Sequence, residues 1–141
     1  MRKRATAVIL DRGNILLFRR VKPEREYYIF PGGGVEEGES VEDALKREVK
    51  EETTLNILSA RHLFTVQLDV PEFATIHTGD REEYVFLVEK YSGTPELSGP
   101  EKQRASIDNQ YHLEWKSVAG LEDLKNLYPI EVVKGLVLVL K

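Results

Sequence analysis

Residues 33–55 read GGVEEGESVEDALKREVKEETTL, a glycine-rich turn that runs into a strongly patterned helix. Ser40 is a suitable N-cap, because its hydroxyl can accept a hydrogen bond from a free amide of the first helical turn. Glu42 and Asp43 would lie in that first turn, where the helix dipole favours negative charge. The pattern predicts a helix over Val41–Thr53, preceded by a loop whose glycines let the backbone approach a ligand closely.

On a helical wheel, at about 100° per residue, this helix has one apolar arc and one charged side. The apolar arc consists of Val41, Ala44, Leu45 and Val49. The charged side consists of Glu42, Asp43, Lys46, Arg47 and Lys50. Glu48 and Glu52 fall inside the apolar arc, one turn apart, and Glu51 lies on its flank. Because residues three and four apart are neighbours on a helix, the wheel predicts that the three carboxylates meet on the core-facing side.

Carboxylates at such positions are destabilising unless something compensates their charge. Like charges at i and i+4 repel, and a half-buried carboxylate loses hydration. Protonation, an arginine or a hard cation could compensate, and a divalent metal with oxygen ligands suits clustered carboxylates best. Because Mg²⁺ keeps some waters and binds substrate phosphates, the cluster predicts a phosphate-bearing substrate. The alternative is that these glutamates are solvated charges, as charge runs usually are.

The rest of the chain predicts strands interrupted by helices. Two apolar runs at 6–10 and 15–19 are joined by Asp-Arg-Gly-Asn, a hairpin signal. Further strands are predicted at 27–30, 55–68 (as one strand or two), 84–88 and 111–118. A short helix is predicted at 121–127, and Pro129 can open a final helix from its first turn. Loops are predicted at 71–80 and 93–109. Together these elements predict a single α/β layered domain over residues 1–141, with a mixed sheet.

Composition excludes several classes of protein. The chain has 141 residues, enough for one compact domain, and its net charge of −4 does not indicate a nucleic-acid polymer as partner. It has no cysteine, which excludes disulfides, thiolate metal sites and cysteine nucleophiles and permits a reducing cytoplasm. No apolar run approaches the length of a membrane span. We therefore expect a cytoplasmic protein that acts on a small molecule and has no membrane partner.

Residues 33–55 resemble the Nudix signature, G-x5-E-x7-R-E-U-x-E-E-x-G-U, in which U is a bulky aliphatic residue. The matching residues are Gly33, Glu39, Arg47, Glu48, Val49, Glu51, Glu52 and Leu55. Segments 16–20, 28–33 and 113–116 also resemble the family. Thr54 stands where the signature has its last glycine. A β-branched residue is strained by roughly 1 kcal/mol or more in the left-handed conformation that such a glycine adopts. We therefore expect the helix to end differently or the turn to be reshaped.

The resemblance implies a Nudix-like α/β/α sandwich, a magnesium cofactor with manganese as the alternative, and hydrolysis of a nucleoside diphosphate linked to another group. The metal ligands implied by matching positions are Glu48, Glu51, Glu52 and the carbonyl of Gly32. Arg47 and Glu39 would be supporting residues, with Arg47 orienting the glutamates through charged hydrogen bonds. Glu51 or Glu52 would accept the proton of the attacking water, so the implied catalytic residues are these two and Arg47.

Five further residues are candidates for substrate binding. Arg19 and Arg20 end a predicted strand near the site, and as neighbours in a strand they face opposite sides, so at most one binds phosphate there. Tyr28 and Phe30 share a face and could hold a base, with core packing as the alternative. Glu101, in the long polar loop, is a candidate for an extra metal ligand or base, with a solvated loop charge as the alternative.

The signature leaves the substrate open, because it recognises only the shared diphosphate. Nucleoside triphosphates, oxidised nucleotides, ADP-ribose, dinucleoside polyphosphates and nucleotide sugars all fit, and the small size of the chain favours (deoxy)nucleoside triphosphates. A homodimer is suggested by family analogy alone. Two other functions are a non-catalytic Nudix-like module that binds a nucleotide and regulates a partner, and an acidic helix used for protein interaction. The intact glutamates argue against the first, and the second leaves the glycine loop unexplained.

Overall fold

The structure is a computed structural model that describes residues 2–68 and 80–140, with the backbone alone at residues 100 and 101. The predicted loop at 71–80 lies outside the described residues except for Asp80. Within the described ranges, every helix is too short or too polar to cross a membrane.

Strands and helices follow one another along the described chain. The strands are β1 (Arg2–Asp11), β2 (Asn14–Lys22), β3 (Arg25–Ile29), β4 (Gly32–Gly34), β5 (Asn56–Leu68), β6 (Arg81–Ser92), β7 (Gln110–Ser117) and β8 (Leu127–Tyr128). The helices are α1 (Val41–Thr53), α2 (Gly99–Arg104) and α3 (Ile130–Val139), with a 3₁₀ turn at Leu121–Asp123. The predicted bounds of α1 are confirmed, and the hydroxyl of Ser40 accepts a hydrogen bond from the amide of Asp43, as an N-cap does.

The described strands form one mixed sheet in the order β5-β6-β1-β2-β3-β8. The pairs β1–β6 and β3–β8 are parallel, and the other pairs are antiparallel. The short strand β4 pairs with the first half of β1, and β7 pairs with β2. The predicted α/β fold with a mixed sheet is therefore confirmed.

Different helices cover the two faces of the sheet, because side chains alternate along each strand. In β1, Ala5 and Ala7 pack with α1 in one core cluster, whereas Val8 packs with α3 in another. In β2, Leu16 belongs to the α1 cluster and Leu17 to the α3 cluster. The sheet thus lies between α1 and α3, the α/β/α arrangement that the resemblance implied.

The prediction was wrong in two connecting regions. The segment 93–109, predicted as a loop, contains helix α2, with a proline at its first turn. The helix predicted at 121–127 is only a 3₁₀ turn followed by β8. Strand β8 forms because it pairs in parallel with β3, a tertiary interaction that overrides the local pattern. Pro129 lies at the N-cap of α3 rather than in its first turn.

Thr54 ends α1 in the left-handed conformation, with φ of 67° and ψ of −2°. Its amide donates a hydrogen bond of 3.0 Å to the carbonyl of Lys50. This is the turn that a glycine would form, so the expectation of a different helix end or a reshaped turn was wrong. The strain of a β-branched residue, about 1 kcal/mol or more, is present in the folded protein.

Candidate active site

The glycine strand β4 is joined to helix α1 through Gly32 and Glu52. The amide of Gly32 donates a hydrogen bond of 2.9 Å to Oε1 of Glu52, which is only 8% exposed. Gly32 has a φ of +139°, and a Cβ atom there would lie 2.0 Å from the carbonyl oxygen of Ala5. Only glycine fits at this position, and its fit lets a nearly buried carboxylate lie against the sheet.

The next glycine, Gly33, makes room for a second carboxylate. A Cβ atom at Gly33 would lie 2.2 Å from the carboxyl carbon of Glu48. The side chain of Glu48 is 19% exposed. Loss of hydration raises the pKa of Glu48, and the hydrogen bond from Arg47 opposes that shift. Glu48 therefore binds a proton more readily than a solvated glutamate does, and a divalent cation would compete with that proton.

Arg47 connects Glu48 to the loop before the helix. Its Nη1 donates to Oε1 of Glu48 at 2.9 Å, and its Nη2 donates to the carbonyl of Gly34 at 3.0 Å. Its Nε and Nη2 also donate to the two carboxylate oxygens of Glu39, at 2.8 and 3.0 Å. This charged pairing lowers the pKa of Glu39 to about 2. Arg47 and Glu39 thus lie where the implied supporting roles would place them, and the roles themselves stay predictions.

Arg47→Lys is expected to weaken the binding of a divalent metal by about 10- to 100-fold. A lysine keeps the charge, but its single ammonium group cannot donate at once to both oxygens of Glu39, to Glu48 and to the carbonyl of Gly34. Titration calorimetry with Mn²⁺ would measure the change. The matched control is Lys46→Arg, on the exposed side of α1, where Lys46 lies 3.7 Å from Glu42. Unchanged affinity in Arg47→Lys would show that Arg47 does not orient the ligands.

Glu51 lies apart from the other two glutamates. Its side chain is 46% exposed, and its Oε1 is 3.6 Å from Nη1 of Arg47. Among the side chains described in residues 2–68 and 80–140, no three acidic or imidazole groups converge as a ready metal site. Glu48 and Glu52 each lie against a glycine of β4, whereas Glu51 is exposed, so the prediction that all three carboxylates meet on the core-facing side is wrong for Glu51. The physical reason is that Glu51 lies on the flank of the apolar arc, where solvent reaches it.

The donors available still fit a hard divalent cation. Mg²⁺ prefers oxygen ligands, uses one or two carboxylates and keeps several waters. Glu48 and Glu52 offer those carboxylates. Gly32 offers a peptide oxygen. In an antiparallel pair every second residue bonds to the partner strand, and on this side of β1 the bonding residues include Pro31 and Val35. Gly32, opposite Thr6, is out of step with them, so its carbonyl points away from β1. These residues fit the metal that the resemblance implies, and the metal itself stays a prediction.

Arg20 is a buried cation on the α1 face of the sheet, the face to which Leu16 of the same strand points. It is 7% exposed, and its guanidinium carbon lies 3.7 Å from the ring centroid of Tyr111 and 5.9 Å from that of Tyr27. Its Nη2 donates to Asn109, and its Nε has no hydrogen-bond partner in the described part of the chain. A buried guanidinium with a spare donor favours an anionic ligand.

Arg19, Tyr28 and Phe30 belong to the other face of the sheet. Arg19 forms ion pairs with Glu114 and, at 3.4 Å, with Glu26. Tyr28 and Phe30 are buried in the core cluster under α3, and they share a face as predicted. Of these three candidates and Arg20, the structure thus brings only Arg20 to the face that carries the carboxylates. The substrate-binding roles of all four stay predictions.

Glu101 belongs to α2, and its side chain lies outside what the structure describes. The backbone just before α2 contacts the end of α1. The amide of Ser98 donates to the carbonyl of Glu52 at 3.0 Å, and the amide of Glu96 donates to that of Thr53 at 2.9 Å. Helix α2 therefore begins beside the last turn of α1, and the role of Glu101 as ligand or base stays a prediction.

A buried charged cluster on the α3 face was not predicted from the sequence. Glu83 is 1% exposed, and its Oε1 accepts hydrogen bonds from Thr6 at 2.7 Å and from Arg4 at 3.1 Å. Its other oxygen lies 3.4 Å from Arg81. Val85, two residues further along β6, is a core residue, so a period of two residues would have turned Glu83 inward. The cluster joins β1 to β6 through charged hydrogen bonds.

Comparison with known proteins gives consistent matches. A model of the NUDIX domain matches residues 1–132. The Nudix hydrolase YvcI of Bacillus subtilis (strain 168) is 28% identical over 129 residues, which cover 86% of this chain and 70% of that protein. The crystal structure of a MutT NUDIX hydrolase from Burkholderia pseudomallei is 28% identical and superposes with a TM-score of 0.73, over 98% of this chain and 97% of that one.

A structure described as an ADP compounds hydrolase superposes with a TM-score of 0.68, over 98% of this chain and 70% of that one. At 20% identity, this likeness shows the fold alone. The domain match, in contrast, spans nearly the whole chain and includes the glycine strand, α1 and the carboxylates held between them. The chain belongs to the NUDIX family.

Proposed function

We propose that this protein is a pyrophosphohydrolase that cuts a diphosphate bond in a nucleoside diphosphate linked to a further group. The observation that carries the proposal is the pair of low-exposure carboxylates, Glu48 and Glu52, each seated on a glycine of β4. Partly buried carboxylates lower the stability of the folded protein unless their charge is compensated. A cation bound by both carboxylates would compensate that charge, and it would also bind and polarise a phosphate. Family membership supports this class of reaction.

In this proposal Glu48, Glu52 and the carbonyl of Gly32 would hold Mg²⁺ or Mn²⁺, with Glu51 as a further ligand. When bound, such an ion neutralises phosphate oxygens and makes a coordinated water more acidic. A carboxylate oxygen of Glu51 or Glu52 accepts the proton of the attacking water. Arg47 keeps the carboxylate of Glu48 in place during that transfer, through the hydrogen bond of 2.9 Å.

Arg20 is the strand residue best placed to bind the substrate. It lies on the face of α1, it is buried, and its Nε has no protein partner among the described residues. A phosphate oxygen beside the guanidinium would balance its charge. Tyr28, Phe30 and Arg19 would contact the substrate only where it extends to the α3 face. Glu101, a residue of α2, is proposed as an alternative base or extra ligand.

The substrate we propose is a small nucleotide-type molecule. One structural neighbour is named an ADP compounds hydrolase, and that name supports a substrate among the nucleotide-type molecules. The small size of the chain favours nucleoside triphosphates among these. Action in the cytoplasm and the absence of a nucleic-acid or membrane partner remain expectations from the sequence, and a homodimeric state remains an expectation from family analogy alone.

Turnover of a panel of nucleoside diphosphate derivatives tests the proposal. The panel holds nucleoside triphosphates, oxidised nucleotides, ADP-ribose, dinucleoside polyphosphates and nucleotide sugars, each with Mg²⁺, with Mn²⁺ and with a chelator. We expect release of phosphate or nucleotide from at least one substrate, abolished by the chelator and restored by Mg²⁺. Nucleotide binding without any turnover would favour the non-catalytic module. Turnover that survives complete chelation would contradict the role given to the metal.

A further inference from the structure

The last turn of α1 is capped by a segment that is distant in the sequence. The final four carbonyls of a helix have no partner inside it, and here they belong to residues 50–53. The amide of Thr54 satisfies the first of these carbonyls, at 3.0 Å. The other three accept hydrogen bonds from the amide of Glu96 and from the amide and hydroxyl of Ser98. We call residues 94–98 the capping segment.

Thr54 makes one further bond to this segment. Its Oγ1 donates to the carbonyl of Thr94 at 3.1 Å. All four final carbonyls of α1 are already satisfied without this bond, so the hydroxyl is not needed to end the helix. A glycine would adopt the left-handed turn without strain and would lack the hydroxyl. The threonine therefore strains the backbone and adds one hydrogen bond, from its hydroxyl to Thr94. That bond holds the capping segment and not the end of the helix.

We propose that Thr54 is a positioning residue whose hydroxyl holds the capping segment against the end of α1. Helix α2 begins at Gly99, the residue after the capping segment, so this bond, together with those of Glu96 and Ser98, sets where α2 starts relative to Glu51 and Glu52. The effect on the reaction rests on the proposed function. The effect on the position of the capping segment is independent of the proposed function.

Three substitutions separate the hydroxyl from the backbone strain. Thr54→Val keeps the β-branch and removes the hydroxyl, Thr54→Gly removes both the hydroxyl and the strain, and Thr54→Ser keeps the hydroxyl. Hydrogen exchange followed by mass spectrometry reports the amides of residues 94–104 without substrate or metal. Circular dichroism confirms that each variant is folded.

We expect Thr54→Val and Thr54→Gly to raise the exchange rate of residues 94–104 by about 3- to 10-fold, the effect of one lost hydrogen bond. We expect Thr54→Ser to keep the original rate. On an active substrate, kcat should fall by a similar factor of about 3- to 10-fold in the first two variants and recover in the third. Because Thr54→Gly relieves strain, loss of protection in that variant cannot be attributed to a general loss of stability.

Unchanged exchange in both Thr54→Val and Thr54→Gly would overturn the proposal, as would a serine variant that exchanges as fast as the valine variant. Raised exchange with unchanged kcat would overturn the link to the reaction. If the unmodified protein hydrolyses no substrate, the proposed function fails while the exchange data still decide the role of Thr54.

Discussion

Glu52→Gln is expected to lower kcat by about 10²- to 10⁴-fold while the fold is retained. The amide oxygen of a glutamine can still accept the 2.9 Å hydrogen bond from Gly32, so the contact between α1 and β4 survives. The charge that would bind a cation is lost, and so is one of the two carboxylates, Glu51 and Glu52, proposed to accept the proton. Steady-state kinetics on the best substrate of the panel, with the thermal midpoint measured alongside, would show this separation.

Glu42→Gln is the matched control for that result. Glu42 lies on the same helix, is exposed, and is paired at 3.7 Å with Lys46 on the solvent side. Its loss should change kcat less than about 2-fold, because an exposed ion pair contributes little. A folded Glu52→Gln protein with full activity would show that the carboxylate of Glu52 takes no part in the reaction.

Gly32→Ala is expected to destabilise the protein by at least about 3 kcal/mol. The new Cβ atom would lie 2.0 Å from the carbonyl oxygen of Ala5, and backbone atoms cannot turn away as a side chain can. The φ of +139° adds strain for any residue with a Cβ atom. Urea denaturation would measure the loss, and activity should fall with it because Gly32 also anchors Glu52.

Gly38→Ala separates the clash from the backbone strain. Gly38 also has a positive φ, of +80°, but a Cβ atom there would meet nothing within 4 Å. This variant should lose only about 1 kcal/mol, the cost of the left-handed conformation. Equal losses in the two alanine variants would mean that β4 can move away from β1.

The part of the fold that could be predicted from sequence is the part with local signals. Helix α1 has an N-cap at Ser40 and an apolar arc of period 3.6, and both bounds were predicted. Strand β8 has only two residues and exists because β3 lies beside it, so no local pattern could reveal it. Helix α2, with six residues in a polar segment, has no apolar face to mark it.

The candidate site divides in the same way. The glutamates were found because a carboxylate inside an apolar arc is visible in one helix. Arg20 has two aromatic partners, Tyr27 on β3 and Tyr111 on β7, which are its direct cross-strand neighbours. They were missed because the sequence alone does not show the register between strands. The choice between Arg19 and Arg20 was also hidden, since both faces of β2 are covered and its apolar run shows no alternation.

Loops between strands usually change freely among related proteins, and substrate preference often changes with them. The connection from β6 to β7 does not have that freedom in this chain, because its residues 96 and 98 cap the helix that carries the glutamates. A grafted loop that follows another path would lose these hydrogen bonds to the carbonyls of α1. Two of these bonds come from backbone amides, so a successful graft must reproduce the path of the chain more than its composition. Exchanging this loop would therefore also disturb the end of the helix that carries the proposed metal ligands.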